Sequence, residues 1–132
     1  RVKEIGGKFA TIIASTGYVS KYATVSEGSV IMHHAVVNTG AYIGVNCIIN
    51  TLADIEHDVV IGSHSHISTG TMLNGDCKIG ERVFIGSQSV LVNGIEVGDD
   101  IILGAGSVLR KTIFTKGIYA GNPAILKIKA NE

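Results

Sequence analysis

The segment Ile55-Glu56-His57-Asp58 concentrates the chain's most reactive side chains, because it places one imidazole between two carboxylates. A neighbouring carboxylate can fix the tautomer of a histidine and stabilise its protonated form, as a general base near neutral pH requires. Histidines at exposed positions are also commonly just solvated. The segment taken alone therefore leaves a catalytic and a purely structural role open.

Two histidine pairs suggest a different chemistry. His33 and His34 are adjacent, whereas His64 and His66 are separated by one residue, a spacing that places two side chains on the same face of a strand. Imidazole is a common zinc ligand, so a zinc site is an alternative to acid–base catalysis. The two cysteines, Cys47 and Cys77, are expected to be reduced and inert core residues rather than nucleophiles.

A six-residue repeat must position all of these side chains. Steps of six residues from Ile13 to Leu109 meet seventeen residues, and every one is Ile, Leu or Val. The residue four positions after each of these is usually small, and it occupies the second inward position of a short strand. The first six are Gly17, Ala23, Ser29, Ala35, Ala41 and Cys47. A hexapeptide period of this kind predicts a parallel β-helix.

The repeat resembles the left-handed hexapeptide β-helix of the acyltransferases, in which three hexapeptides form one triangular coil and residues eighteen apart stack. The resemblance predicts an all-β, left-handed parallel β-helix of about six coils over residues 13–114. Residues 1–12 are expected to cover the first coil, and residues 115–132 to cap the last. A ladder of Gly44, Gly62, Gly80 and Gly98 is expected at a corner where the backbone turns with positive φ.

The composition narrows the possible partners. Eleven Lys and Arg residues balance eleven Asp and Glu residues without a basic run, so neither a nucleic acid nor an anionic membrane is an expected partner. The mean hydropathy of +0.36 reflects the aliphatic ladders. No signal peptide or apolar span is visible, so a single cytoplasmic domain is expected.

Several motifs resemble the sialic-acid and nucleotide-sugar O/N-acetyltransferase family of bacterial glycan biosynthesis. They are Asn50-Thr51, Glu56-His57-Asp58, Ser65-His66-Ile67-Ser68 and the ending Ala120-Gly121-Asn122-Pro123-Ala124. The resemblance implies a homotrimer that transfers an acetyl group from acetyl-CoA directly to an amine or hydroxyl of a sugar or nucleotide-sugar. Relatives often have His-Pro at Ser15-Thr16, and they usually carry an N-terminal βαβ half. Either this chain is a fragment, or its β-helix alone binds the acceptor.

The family resemblance also implies roles for particular residues. It implies a catalytic group of His57 as general base, Asp58 as its orienting carboxylate, and Glu56 and Asn50 nearby. It implies a donor-binding group in which His66 lies beside the thioester, the backbone amides of Gly75, Ser87 and Ala105 line the CoA groove, and Arg110 and Lys111 reach the phosphates. The amide of Gly75 would also bond the developing oxyanion.

Two alternatives to an acetyltransferase stay open. One is a catalytically silent β-helix used for assembly. The other is a zinc enzyme like the γ-class carbonic anhydrases, which share the fold and bind zinc through three histidines at a subunit interface. The second and third of those histidines lie five residues apart, and no histidine pair here has that spacing.

Overall fold

The computed structural model describes residues 1–130, which form a β-helix of short strands. A 3-10 helix, Lys3–Ile5, precedes the first strand. The strands are β1 Ile12–Ile13, β2 Tyr18–Val19, β3 Thr24–Val25, β4 Val30–Ile31, β5 Val36–Val37, β6 Tyr42–Ile43, β7 Ile48–Ile49, β8 Asp54–Ile55, β9 Val60–Ile61, β10 His66–Ile67, β11 Met72–Leu73, β12 Lys78–Ile79, β13 Phe84–Ile85, β14 Val90–Leu91, β15 Glu96–Val97, β16 Ile101–Leu103, β17 Val108–Leu109, β18 Gly117–Gly121 and β19 Ala124–Lys129.

Every third strand joins the same sheet, so the chain winds around three parallel sheets. Sheet A contains β1, β4, β7, β10, β13, β16, β18 and β19; sheet B contains β2, β5, β8, β11, β14 and β17; sheet C contains β3, β6, β9, β12 and β15. We name the three edges of this prism by the sheets that meet there. The AB corner includes turns 50–53, 86–89 and 104–107, the BC corner turns 56–59 and 74–77, and the CA corner turns 44–47 and 62–65.

The predicted aliphatic ladders form the core. From Ile31 to Leu109 every residue of the six-step series is at most 3% exposed. In the first coil Ile13 remains 47% exposed. The lead-in does not cover that coil as expected, because it runs beside the CA corner instead. There Thr11 Oγ1 donates a hydrogen bond to the Ser26 carbonyl, and Lys3 pairs with Glu27.

The small inward residues satisfy their polar groups within the prism. Ser29 Oγ donates to the Gly44 carbonyl at 2.7 Å, and Ser65 Oγ donates to the Gly80 carbonyl at 3.0 Å. The buried thiols behave in the same way, since Cys47 Sγ lies 3.3 Å from the Gly62 carbonyl. Buried polar groups without such partners would destabilise the core. Side chains can therefore alternate between hydroxyl, thiol and methyl at this position.

The glycine ladder exists for a different reason from the one predicted. None of Gly44, Gly62, Gly80 and Gly98 has positive φ. A Cβ atom on Gly62 would lie 2.5 Å from the carbonyl carbon of Gly80, so these glycines allow the stacked backbones to approach closely. Glu56 does not have positive φ either.

Positive φ recurs elsewhere in each hexapeptide, at every sixth residue from Gly28 to Gly106. Nine of these fourteen positions hold a residue other than glycine, among them Asp58 and Asp76. Asn and Asp tolerate this conformation better than most residues do.

The C-terminal residues extend sheet A. Strand β18 pairs in parallel with β16, and β19 returns antiparallel to β18. Tyr119 covers the end of the core at 6% exposure, and its hydroxyl donates to the Thr115 carbonyl at 2.8 Å. No helix within residues 1–130 is long and apolar enough to cross a membrane.

The two kinds of glycine should respond differently to substitution. Gly62→Ala should destabilise the fold by about 2 kcal/mol or more, because the added methyl group overlaps backbone that cannot move aside. Gly94→Asn is the matched control, since Gly94 has φ +70° and open space around it. It should cost less than about 1 kcal/mol. Urea unfolding of both variants measures the difference, and equal losses would refute this explanation of the ladder.

Candidate active site

His57 lies in the BC-corner turn that follows β8, and the neighbouring coils hold this turn in place. The Asp58 amide donates to the Thr39 carbonyl of the coil below at 3.0 Å, and the His57 carbonyl accepts from the Asp76 amide of the coil above at 3.0 Å. Asp58 adopts the left-handed conformation with φ 59°. The imidazole is therefore presented outward from a rigid backbone.

The imidazole of His57 is paired with one carboxylate. Its Nδ1 lies 3.0 Å from Asp58 Oδ2. An ionised carboxylate only accepts hydrogen bonds, so Nδ1 carries a proton and donates it, which leaves Nε2 free to accept a proton. The hydrogen bond that His57 donates to Asp58 raises the pKa of His57, and the charges of Asp76, Asp58 and Glu56 act in the same direction. Asp58 thus fixes the orientation and the tautomer of the ring.

Glu56 has a different role from the one that the sequence suggested. Its Oε2 accepts from the backbone amide of His57 at 3.3 Å and from Asn38 Nδ2 at 3.2 Å. The carboxylate thus stabilises the start of the turn and does not bond the imidazole. The two carboxylates that flank His57 in the sequence therefore bond different groups, because Asp58 bonds the ring and Glu56 bonds the backbone.

The free edge of the His57 ring faces Gly75 of the coil above. A Cβ atom at Gly75 would collide with His57 Nε2, so a larger residue at position 75 would displace the ring from this position. Gly75, Ser87 and Ala105 share one turn position, immediately before a residue with positive φ. None of their three backbone amides donates a hydrogen bond to another group of residues 1–130. Their role in binding CoA stays a prediction.

Asn50 and His66 form a second group at the AB corner. Asn50 Nδ2 lies 3.1 Å from His66 Nε2. The side-chain amide of Asn50 is oriented by a second contact, in which Oδ1 accepts from the backbone amide of Thr51 at 2.8 Å. His66 packs edge-on against Phe84 with ring centroids 5.3 Å apart, and burial lowers its pKa. His66 is therefore held neutral, with Nε2 as an acceptor and its proton on Nδ1.

The predicted site residues thus divide between two corners of the prism. Glu56, His57, Asp58 and Gly75 lie at the BC corner, with the exposed Arg110 and Lys111 above them on the same edge. Asn50, which the sequence grouped with His57, instead contacts His66, and Ser87 and Ala105 are stacked above them at the AB corner. Arg110 and Lys111 also line a depression of about 490 Å³ with Pro123, Ala124 and Ile125.

The histidine pairs considered for zinc do not converge. His33 Nδ1 bonds Thr16 Oγ1 at 2.8 Å, whereas His64 Nδ1 faces Asn46 Nδ2 at 3.1 Å from a turn with φ 62°. The expectation that His64 and His66 share a strand face was wrong, because only His66 lies on a strand. Neither pair belongs to a group of three potential metal ligands within residues 1–130.

The two cysteines are buried, and desolvation raises the pKa of both Cys47 and Cys77.

Two residues of the site escaped the sequence analysis. Asp76 lies beside His57 and Asp58, with one oxygen or nitrogen atom of each side chain within 4.8 Å of the others. Phe84 supports His66. The eighteen-residue stacking rule could have found both, since Asp76 follows Asp58 and Phe84 follows His66 by one coil.

Residues 76–111 match the family described as bacterial transferase hexapeptide (six repeats). Among solved structures, the acetyltransferase domain of PglB from Neisseria gonorrhoeae FA1090 superimposes with a TM-score of 0.93 and 34% identity, over 95% of this chain and 61% of that one. One structure of that domain contains acetyl coenzyme A. PerB from Caulobacter crescentus, in complex with CoA and GDP-perosamine, matches with a TM-score of 0.93 and 30% identity, over 95% and 60% of the two chains.

The fold is therefore the left-handed parallel β-helix of the hexapeptide-repeat transferases. The predicted resemblance to hexapeptide-repeat sugar acetyltransferases is confirmed. This chain spans about three fifths of the length of these solved relatives.

The pKa values of the two site histidines should be shifted in opposite directions from that of an ordinary histidine. The pKa of His57 should lie above the usual value because Asp58 stabilises the imidazolium, and that of His66 below it because its surroundings are desolvated. NMR titration of the imidazole carbons, assigned with single-histidine variants, measures both. Asp58→Asn should lower the pKa of His57 and leave that of His66 unchanged. A His57 pKa that does not respond would show that the ion pair does not form in solution.

Proposed function

We propose that this chain is the catalytic β-helix of an acetyl-CoA-dependent acetyltransferase that acts on an amine or hydroxyl of a sugar or nucleotide-sugar in bacterial surface-glycan biosynthesis. The observation that carries the proposal is the His57–Asp58 pair, whose ring edge with Nε2 packs against Gly75, a residue whose amide donates no backbone hydrogen bond. The likeness to acetyltransferase domains crystallised with acetyl-CoA supports the same chemistry. The proposal places the reaction in the cytoplasm.

The proposed mechanism is direct transfer without an acyl-enzyme. Acetyl-CoA supplies an activated acetyl group as a thioester. His57 Nε2 accepts the proton from the attacking amine or hydroxyl as the new bond forms, and Asp58 stabilises the resulting imidazolium. The Gly75 amide donates to the acyl oxygen as negative charge develops on it. When the carbon–sulfur bond breaks, the proton held on His57 can pass to the departing thiolate.

The donor would lie along the prism edge above His57. Gly75 and Lys111 are one and three coils above His57 by the eighteen-residue step. Three coils span about 14 Å at the spacing between strands, which is of the order of the length of a pantetheine arm. Arg110 and Lys111 would then meet the phosphates. Ser87 and Ala105 would offer their amides to the arm, and His66, held neutral by burial, would lie beside the thioester.

A second copy of the chain is needed to bring these groups together. His57 and the Asn50–His66 pair lie at the two ends of the sheet B face, roughly 15 to 20 Å apart along an extended strand and its turn. No side chain reaches that far. In a homotrimer, the BC corner of one chain can face the AB corner of the next, and three such contacts close the ring with sheet B towards the axis.

Replacing the base should abolish transfer without affecting the fold. His57→Ala should reduce turnover by about 10²- to 10⁴-fold, the usual contribution of general-base catalysis. Affinity for acetyl-CoA should stay within about twofold of the parent protein's, because the donor contacts proposed above come mainly from other residues. His64→Asn is the matched control, since it removes an exposed turn histidine at the unused CA corner and keeps a residue suited to positive φ.

The assay for His57→Ala uses GDP-perosamine and free amino sugars as acceptors, with calorimetry for donor binding. Undiminished turnover of the His57→Ala protein would remove His57 from its role. A parent protein that binds no acetyl-CoA at millimolar concentration would instead support the silent assembly module.

Mixing the variants His57→Ala and His66→Ala should restore activity if each site is formed between two chains. His57→Ala lacks the base at its BC corner, and His66→Ala lacks the group at its AB corner. In randomly mixed trimers about a quarter of the interfaces pair an intact His57 with an intact His66. Co-refolded mixtures should therefore recover up to about a quarter of the parent activity. Light scattering must show a trimer for each variant, and a mixture no more active than its components would place each site within one chain.

A further inference from the structure

Asp76 occupies a position next to the candidate base that its distance in sequence conceals. It is stacked one coil above Asp58, has φ 61°, and bonds the His57 carbonyl through its own amide at 3.0 Å. Nitrogen or oxygen atoms of His57, Asp58 and Asp76 all lie within 4.8 Å of one another. The imidazole thus meets one carboxylate from its own turn and a second from the coil above.

The other charged groups around the ring are accounted for. Glu56 directs its carboxylate to the His57 amide and to Asn38, away from the ring nitrogens. The nearest basic residues on this edge of the prism are Lys21, two coils below, and Lys111, three coils above. The remaining residues stacked against the turn are uncharged, namely Asn38, Thr39, Gly40, Asn74 and Gly75. Asp58 and Asp76 are therefore the two anions closest to the ring.

We propose that Asp76 is a positioning residue for the reaction, whose carboxylate stabilises the imidazolium that forms when His57 accepts the proton of the acceptor. This inference rests on the proposed function, in which His57 is the general base. The two aspartates would divide the task. Asp58 holds the Nδ1 proton by a hydrogen bond and so fixes the tautomer and the ring orientation, whereas Asp76 acts through its charge, without a hydrogen bond to the ring.

The division between the two aspartates follows from the geometry of stacking. Asp58 and Asp76 both have positive φ and occupy the same turn position in successive coils, so their backbones have the same orientation relative to the prism edge. The ring nitrogen of His57 and the carboxylate of Asp76 lie within 4.8 Å of each other, and the hydrogen bond of the ring goes to Asp58, so Asp76 is close enough for a Coulomb interaction at a partly exposed surface. Removing the charge of Asp76 should therefore weaken the base and leave the His57–Asp58 hydrogen bond in place.

The test compares Asp76→Asn with the parent protein by NMR titration and by the pH dependence of turnover. Asn accepts the left-handed backbone, so the fold should be retained. The pKa of His57 should fall. Since His57 works only when neutral, activity is lost as the pH falls through that pKa, and the acid limb of the pH–rate profile should move to lower pH. The plateau should fall by less than the 10²- to 10⁴-fold expected for loss of the base itself.

Asp100→Asn is the matched control, because Asp100 is also an aspartate at a positive-φ turn position, but at the CA corner. It should leave both the titration and the acid limb unchanged. For Asp76→Asn, a lower plateau with an unmoved acid limb and an unchanged His57 titration would show a merely structural role and overturn the inference. The NMR titration decides this even without an active acceptor. Loss of the proposed function would appear separately, as full activity in His57→Ala.

Discussion

The register between successive coils is the constraint on which the rest of this structure depends. Each coil bonds the next through parallel ladders, such as the Tyr18 amide to the Ala35 carbonyl and the Ser20 amide to the Val37 carbonyl, both at 2.9 Å. Because inward and outward positions alternate along each strand, one inserted residue would turn the aliphatic ladder towards solvent. The repeat therefore runs without insertion as far as Leu109. Beyond it the Val97–Ile113 bridge joins residues sixteen apart rather than eighteen, so the step shortens only where the prism ends.

This register gives the candidate site its rigidity without a dedicated loop. His57 is fixed through Thr39 below and Asp76 above, and the free amides of Gly75, Ser87 and Ala105 arise because one turn position in each hexapeptide has no partner in the ladder. The same stacking explains the glycine at position 75, where the imidazole of His57 occupies the space that a side chain would take. The fold supplies a row of donors along each edge, and a few substitutions at the turns convert part of one edge into a site.

The period of the sequence was sufficient to predict a parallel β-helix and its core, because both depend on the strict recurrence of inward aliphatic residues. The left-handed coil of three hexapeptides, and with it the eighteen-residue stacking distance, came from the family resemblance. The period did not show which residues have positive φ. Glycine allows close approach of the backbone at Gly62 and a left-handed turn at Gly94, and the residue type alone does not distinguish these two roles. The contact between Asn50 and His66 depends on the direction of side chains across two coils, which no spacing rule provides. Asp76, by contrast, lies eighteen residues after Asp58, so its position beside His57 follows from the stacking rule alone.

The formal charge of +0 conceals a separation of charge along one edge of the prism. Glu56, Asp58 and Asp76 cluster around His57, whereas Arg110 and Lys111 lie at the upper end of the same edge. The separation of about 14 Å exceeds the screening length of about 8 Å at physiological ionic strength, so each end acts on its neighbours independently. The basic end attracts phosphates and the acidic end repels them. Under the proposed function, a donor with its phosphates at the basic end and its thioester at the acidic end would be oriented with the acetyl group beside His57. The carboxylates that would tune the base would then also set the direction of the donor.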